Sequence, residues 1–308
     1  MKYLGGTVFL GLLIGLFSGR FIDGDLIPLL MKWYVTFSLM ALLYLSALKI
    51  TPSEILKNLK KPWYIIFISL VKMIGLPLIA FIFLKYIPED YRIAVMLLSA
   101  TPSAMATPGV LLVLKGDIKF GMIVSVLTNL ITPLILPLVL FYSVGTKVEL
   151  DPLHMIIFLG TIVFLPFLLA FLSKKFLTKF SNFIIDNSSK IVSCVLFIFG
   201  ICIIAPFSDL VLSNLSKSYI LFVFILAFSA VLHVISIIVS IWKYKKSYMI
   251  SNIVLLAYFN VGFSIVLANQ YFDQTTTLLC VLYEIIWAVG LIPLQLIFNP
   301  QSGKQPRI

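Results

Sequence analysis

Two stretches of this chain set helix-breaking and polar residues inside otherwise apolar runs. The first is Thr101-Pro102-Ser103-Ala104-Met105-Ala106-Thr107-Pro108-Gly109, in the middle of such a run. Each proline removes a backbone donor and clashes with the carbonyl four residues earlier. Two of them six residues apart, followed by Gly109, predict an interrupted helix rather than a simple kink. The second is Ala257-Tyr258-Phe259-Asn260-Val261-Gly262-Phe263-Ser264, where Asn260 beside Gly262 offers an amide and a pliable backbone. Carbonyls and amides freed in hydrocarbon are costly unless they line a polar cavity or bury in protein. Paired discontinuous helices are the best sequence pointer to a transporter's binding site. The chemistry they support is recognition of an ion or a small polar solute at mid-membrane.

Polar and ionisable residues at similar depth extend the set. Lys72 lies five residues before Pro77 and far from either end of its run, while Glu284 and Asn129 sit deep in later runs. Charges inside a bilayer are expensive and mark functional positions by default. A Lys72–Glu284 pair would be a structural staple, and an isolated Lys72 would serve a site; the sequence leaves both open. Asn260 carries a similar alternative, an interhelical hydrogen bond. Lys32 and His154 fall near the ends of runs and read as interface anchors, and the deeper His233 reads as structural.

The elements that position these residues follow from composition. Apolar residues make up 61% of the 308 and charged residues 11%, with a mean hydropathy of +1.12. A soluble domain carries about 25% charged residues, so the solvent that fits this chain is lipid. The net charge of +11 sits in short loops between apolar runs, which argues for membrane topology and against nucleic acid. Cys194, Cys202 and Cys280 lie in apolar stretches without CxxC spacing and read as small apolar fillers. HExxH, GxGD, Asp-rich prenyl-transfer and Walker A motifs are absent, and two histidines do not make a histidine metal site. The chain reads as no enzyme, with neither metal nor cofactor. A channel or a non-transporting sensor or scaffold remains as an alternative class.

A span of bilayer needs roughly 20 apolar residues. Ten runs qualify, at about 4–22, 27–48, 63–86, 91–114, 119–143, 153–173, 188–206, 218–241, 248–269 and 276–298. The polar break from Ser173 to Ser189 has room for a short interfacial helix. The first run ends at Phe17-Ser18-Gly19-Arg20 without a small-residue cleavage site, so the first helix is expected to be retained. On the side of the N-terminus, the even-numbered loops and the C-terminus lie Lys2, Lys49, Lys57, Lys60, Lys61, Lys115, Lys119, Lys174, Lys175, Lys179, Lys190, Lys243, Lys245, Lys246, Lys304 and Arg307. The other side holds only Arg20, Lys85, Arg92, Lys147 and Lys217. The positive-inside rule then puts both termini in the cytoplasm. Short loops and a Lys-, Phe- and Ile-rich composition suggest a bacterial plasma membrane. Five helices per half make the halves opposite in orientation, an inverted repeat over 1–148 and 149–308. Gly109 to Leu114 near Asp117 parallels Gly262 to Leu267 near Asp273, and Pro133-Leu-Ile-Leu-Pro-Leu parallels Ile292-Pro-Leu-Gln-Leu.

Three stretches resemble the bile acid:sodium symporter family: Leu39 to Leu48 with Glu54 and Lys60-Lys61-Pro62, Pro102 through Lys115-Gly116-Asp117 to Pro133, and Asn260-Val-Gly-Phe-Ser with Phe272-Asp273. Auxin efflux carriers are a more distant likeness. The resemblance implies an all-α fold of ten transmembrane helices, with a panel domain (helices 1, 2, 6 and 7) and a core domain in which broken helices 4 and 9 cross. It implies alternating-access transport of a small organic anion, with substrate and ion contacts among Ser103, Thr107, Pro108, Ser125, Asn129, Tyr258 and Asn260, joined by Lys72 and Glu284. Where the family's sodium sites have a Ser-Asn pair in helix 4, this chain has Thr107 and Pro108. The helix-5 Ser and Thr read Gly121 and Ser125, the helix-9 Glu and Gln read Leu255 and Phe259, and the helix-3 Gln reads Lys72. Only Thr107, Ser125 and Asn260 keep oxygen atoms there. The expectation is a sodium-independent carrier in which the Lys72 ammonium takes the place of a lost sodium ion. A buried amine can also release and rebind a proton, so proton coupling is open, and so is a sodium symporter with a remodelled site. Tyr258, Phe259 and Phe263 are expected to give the site an aromatic lining suited to a carboxylate with an apolar body. Oligomeric state is not legible.

Overall fold

The computed structural model describes residues 4–22, 33–49, 62–144, 150–213, 215–241 and 245–298, nearly all of them helical. In chain order the helices are α1 (Leu4–Ser18), α2 (Val35–Leu48), α3 (Trp63–Tyr86), α4 (Glu89–Ala100), α5 (Thr107–Leu114) and α6 (Ile118–Val144). After them come α7 (Pro152–Phe176), α8 (Thr178–Ile204), α9 (Leu215–Ser240), α10 (Lys246–Ala257), α11 (Val261–Tyr271) and α12 (Gln274–Phe298). Among the described residues, six helical spans are long and apolar enough to cross a bilayer: α3, α6, α7, α9, α12 and the run from Thr178 to Ser213 that includes α8. Their outer faces carry large apolar side chains in the open, such as Phe67, Leu70, Leu78 and Phe81 on α3. A continuous exposed apolar band of this kind is stable only against lipid. The chain is a polytopic all-α membrane protein.

Local signals explain where the helices start and bend. The Asp151 side chain accepts from the amides of Leu153 and His154 and caps α7, with Pro152 in the first turn. Asp117 caps α6 through the Phe120 amide, and Asp273 caps α12 through the Thr276 amide. In α3 the missing amide of Pro77 is absorbed by a π-helical turn at Val71–Gly75, where the Leu76 amide reaches back to the Val71 carbonyl. The expected short helix between Ser173 and Ser189 is not there. The single residue Leu177 separates α7 from α8, and α8 runs unbroken through the polar stretch. The beginning of the second expected span, residues 27–32, and the charged loop with Glu54, Lys60 and Lys61 lie outside the described residues.

α1, α2, α7 and α8 pack on one another, chiefly α1 on α8 and α2 on α7. The second group packs α3 on α4 and α6, and α9 on α10 and α12. α1 meets α12, α7 meets α6, and α2 meets α11 where the two groups touch. The tightest approach is α1 on α8, where Gly11, Gly15 and Gly200 bring the backbones together. A Cβ at Gly15 would come within 2.5 Å of the Ile201 carbonyl oxygen, and one at Gly200 within 2.8 Å of that of Val8. Small residues at such spacing are the usual means of close helix contact in lipid. Gly15→Ala is therefore expected to destabilise the folded protein by about 1–3 kcal/mol. Gly160→Ala, on the open face of α7 where a Cβ would meet nothing nearer than 3.8 Å, should leave it unchanged or slightly stabilised. Thermal melts of both variants in detergent check the pair.

Candidate functional site

The two expected interruptions are present. Helix stops at Ala100 and resumes at Thr107, and stops at Ala257 and resumes at Val261. The unwound stretches cross and pair in antiparallel fashion at Ser103 and Phe259. The Ala104 amide donates to the Tyr258 carbonyl at 3.0 Å and the Asn260 amide to the Pro102 carbonyl at 2.9 Å. Each break thus satisfies the backbone groups the other exposes, which is the condition for non-helical chain at membrane depth. Asn129 of α6 ties the crossing from the side, donating to the Ser103 carbonyl at 2.8 Å and the Ser125 carbonyl at 2.7 Å and accepting from Asn260 Nδ2 at 3.0 Å.

The free ends of the half-helices are closed one carbonyl at a time. At the end of α4 the Met96 carbonyl accepts from Ser99 Oγ, that of Leu97 from Thr101 Oγ1, that of Leu98 from the Thr101 amide, and that of Ser99 from Lys72 Nζ at 3.2 Å. At the end of α10 the Leu255 carbonyl accepts from Ser103 Oγ at 2.8 Å and the Ala257 carbonyl from Tyr283 Oη at 2.7 Å. Lys72 is fully buried. Its ammonium also lies 3.6 Å from the centroid of the Phe259 ring, which stacks on Tyr283 at 5.1 Å and 4°. A cation is favoured at the carboxyl end of a helix and over an aromatic face, and Lys72 has both.

Beside the crossing lies a cavity of about 300 Å³. Its walls are the inner residues of α2 and α8, Met105 and Ala106 of the first break, Asn260 of the second, the first turns of α5 and α11, and one face of α12. Its lining also includes Gly6, Lys49, Leu114 and Gln295, which lie toward the ends of helices on the side where α1 begins.

The structure divides the expected site residues. Pro108, Ser125, Asn260 and Glu284 line the cavity. Lys72, Ser103, Thr107 and Asn129 are buried in the crossing and its supports, outside the lining. Tyr258 points away from the cavity, with its hydroxyl 3.4 Å from His233 Nε2 and its ring against Trp287. Phe263 is likewise buried, so of the three aromatics expected to line the site only Phe259 does. Lys72 and Glu284 form no ion pair; a salt bridge at the surface joins Arg20 to Asp209. His154 accepts or donates a hydrogen bond with Tyr271 at the periphery. Sequence reasoning passed over Trp287, Ala288, Leu291 and Gln295, although their spacing from Glu284 marks a single helix face. Because Asn129 is fully buried and holds three partners, Asn129→Leu should cost about 1–3 kcal/mol for the groups it strands. A fall in the detergent melting midpoint of Asn129→Leu, with a much smaller fall for Ser143→Ala on the same helix, is the expected result.

The profile of the Sodium Bile acid symporter family matches residues 36–217, more than half of the chain. The matched region contains Lys72, the whole first break, Ser125 and Asn129, and ends before the second break. No curated protein matches the chain. With two broken helices crossing beside a largely apolar cavity, the chain belongs to the sodium bile acid symporter family of membrane transporters.

Proposed function

We propose that this protein is a sodium-independent secondary transporter that moves a small organic anion by alternating access. The observation that carries the reading is the Lys72 ammonium at the carboxyl end of α4, a fixed cation where a carrier of this family would otherwise hold a mobile one. Half-helix carboxyl ends and freed carbonyls are the usual sodium ligands of such transporters. Here the Met96, Leu97, Leu98 and Ser99 carbonyls near the end of α4 already have donors. The side chains of Leu255 and Phe259 add no oxygen to their surroundings.

The anion reading rests on the amino-terminal turns of α5 and α11, both of which face the cavity. Helix starts carry the positive end of the dipole. In α5 the amides of Thr107, Gly109 and Val110 already donate to the Ala104 and Ala106 carbonyls and Pro108 has none, so what that start offers an anion is the dipole. The apolar remainder of the lining, from Leu39, Met105, Val110, Leu196 and Leu291, suits a carboxylate or sulfonate with an apolar body.

Alternating access follows from ten spans arranged as two inverted halves, 1–148 and 149–308. A shift of 156 residues carries Ser103 to Phe259, Asp117 to Asp273 and Pro137 to Pro293. These are the two residues of the crossing, the caps of α6 and α12, and a proline in each of those helices. The register differs by three residues from one that aligns Gly109 with Gly262. The same exchange turns the contact of α1 with α8 into that of α7 with α2, and that of α3 with α4 into that of α9 with α10. α1, α2, α7 and α8 are the panel and the remaining helices the core. With both termini cytoplasmic, in a bacterial plasma membrane, the cavity opens inward.

Thermal melts in detergent at matched ionic strength test the sodium reading. Sodium in place of potassium at about 100 mM should leave the midpoint of the wild-type protein unchanged. A millimolar site would raise stability by about 2.7 kcal/mol at a hundredfold excess over Kd, and a rise of that size specific to sodium overturns the reading. Lys72→Gln should gain sodium sensitivity or lose solute transport in proteoliposomes, and unaltered transport counts against the assignment.

A further inference from the structure

Glu284 is a nearly buried carboxyl group beside the crossing. It is 6% exposed, lines the cavity, and has no hydrogen-bond or ion-pair partner among the described residues. The helices packed on α12 bring it no counter-ion. α1, α5 and α11 contain no charged residue. The charges of α4, Glu89, Asp90 and Arg92, lie in its first turn at the far end from the crossing. His233 of α9 is engaged with Tyr258 and the Ser229 carbonyl. Across the cavity, the cation in the lining is Lys49, in the open after the last residue of α2. Lys72 is committed to Ser99 and Phe259, and Tyr283 to Ala257.

The same lining holds the first turn of α11, a position that favours an anion. One turn beyond Glu284, Trp287 keeps its indole N–H buried without an acceptor. An ionised carboxylate in this enclosure would be an unpaired buried charge, and it would repel the anion that the helix starts attract. A neutral carboxylic acid there removes the repulsion and adds a donor.

Resting on the anion reading above, we propose that Glu284 is a proton-binding site that makes transport proton-coupled. The carboxylate takes one proton from water on the side where the anion loads and gives it back to water on the other side. Anion and proton move together, so each cycle with a singly charged anion carries no net charge. No bond to the solute forms or breaks.

The test is binding of a panel of carboxylates and sulfonates with apolar bodies, read as thermal stabilisation of the detergent-purified full chain at pH 6 and pH 8. Sulfonates stay ionised at both values, so any proton taken up with them belongs to the protein. If one proton binds with the anion, apparent affinity in the wild type falls by up to about tenfold per pH unit. Glu284→Gln should hold the acid-pH affinity at both values, and Glu284→Met provides the same comparison if the first variant does not fold. Wild-type affinity that is the same at pH 6 and pH 8 overturns the proton site and leaves the anion reading intact. Loss of binding at both values in Glu284→Gln also overturns it, since the carboxylate itself would then hold a cationic group of the solute. No stabilisation of wild type or variant by any member of the panel overturns the anion reading, and the coupling with it.

Discussion

Peptide groups at mid-membrane must find partners within the protein, and this one constraint shapes the centre of the molecule. Pro102, Pro108 and the Asn260–Gly262 stretch prevent two helices from satisfying their own backbone. The chain meets the demand by laying the two breaks across each other, so that Ala104 and Asn260 donate to Tyr258 and Pro102. Asn129, Ser103, Ser125 and Thr101 supply what remains. The cavity lies beside this crossing, and the first turns of both resumed half-helices form part of its wall.

Lys72 is the most expensive residue in the assembly, and its surroundings account for it. A carbonyl at the end of a helix dipole and the face of Phe259 together replace much of what water would provide. The stack continues from Phe259 to Tyr283, whose hydroxyl closes the end of α10. One chain of contacts therefore joins the carboxyl ends of both half-helices: the Ser99 carbonyl, Lys72, Phe259, Tyr283 and the Ala257 carbonyl. The π-helical turn enforced by Pro77 is part of the same construction, since Lys72 and Met73 are its buried members.

Much of this was legible in the sequence. Prolines in apolar runs and an Asn-Gly pair announced both breaks, because their effect on helix is local and does not depend on neighbours. Run lengths located the apolar spans for the same reason. The polar stretch before Ser189 misled, since α8 extends beyond its apolar portion and polarity alone does not end a helix. The partners of Lys72 were hidden: a carbonyl has no sequence signature, and the Phe259 ring comes from 187 residues away. Tyr258 and Phe263 looked like lining because adjacent residues in an apolar stretch cannot be assigned to one side or the other until the backbone is known. Trp287 lay in plain view on one face with Glu284, and only the location of the cavity gives that face its meaning.

The crossing is a weld. Two backbone hydrogen bonds and the Asn129 bridge bind the broken helices to each other more firmly than either is bound to α2 or α8, which meet them through smooth apolar side chains such as Leu39, Leu43 and Phe199. The glycine contact between α1 and α8 makes the opposing surface equally stiff. Among the described residues, each of the two helix groups is thus held together by close backbone or polar contacts, while apolar side chains of α2 and α8 face the crossing. Under the alternating access proposed above, movement falls on that apolar seam, and a bulky or charged side chain introduced there would act as grit, arresting transport while leaving each group folded.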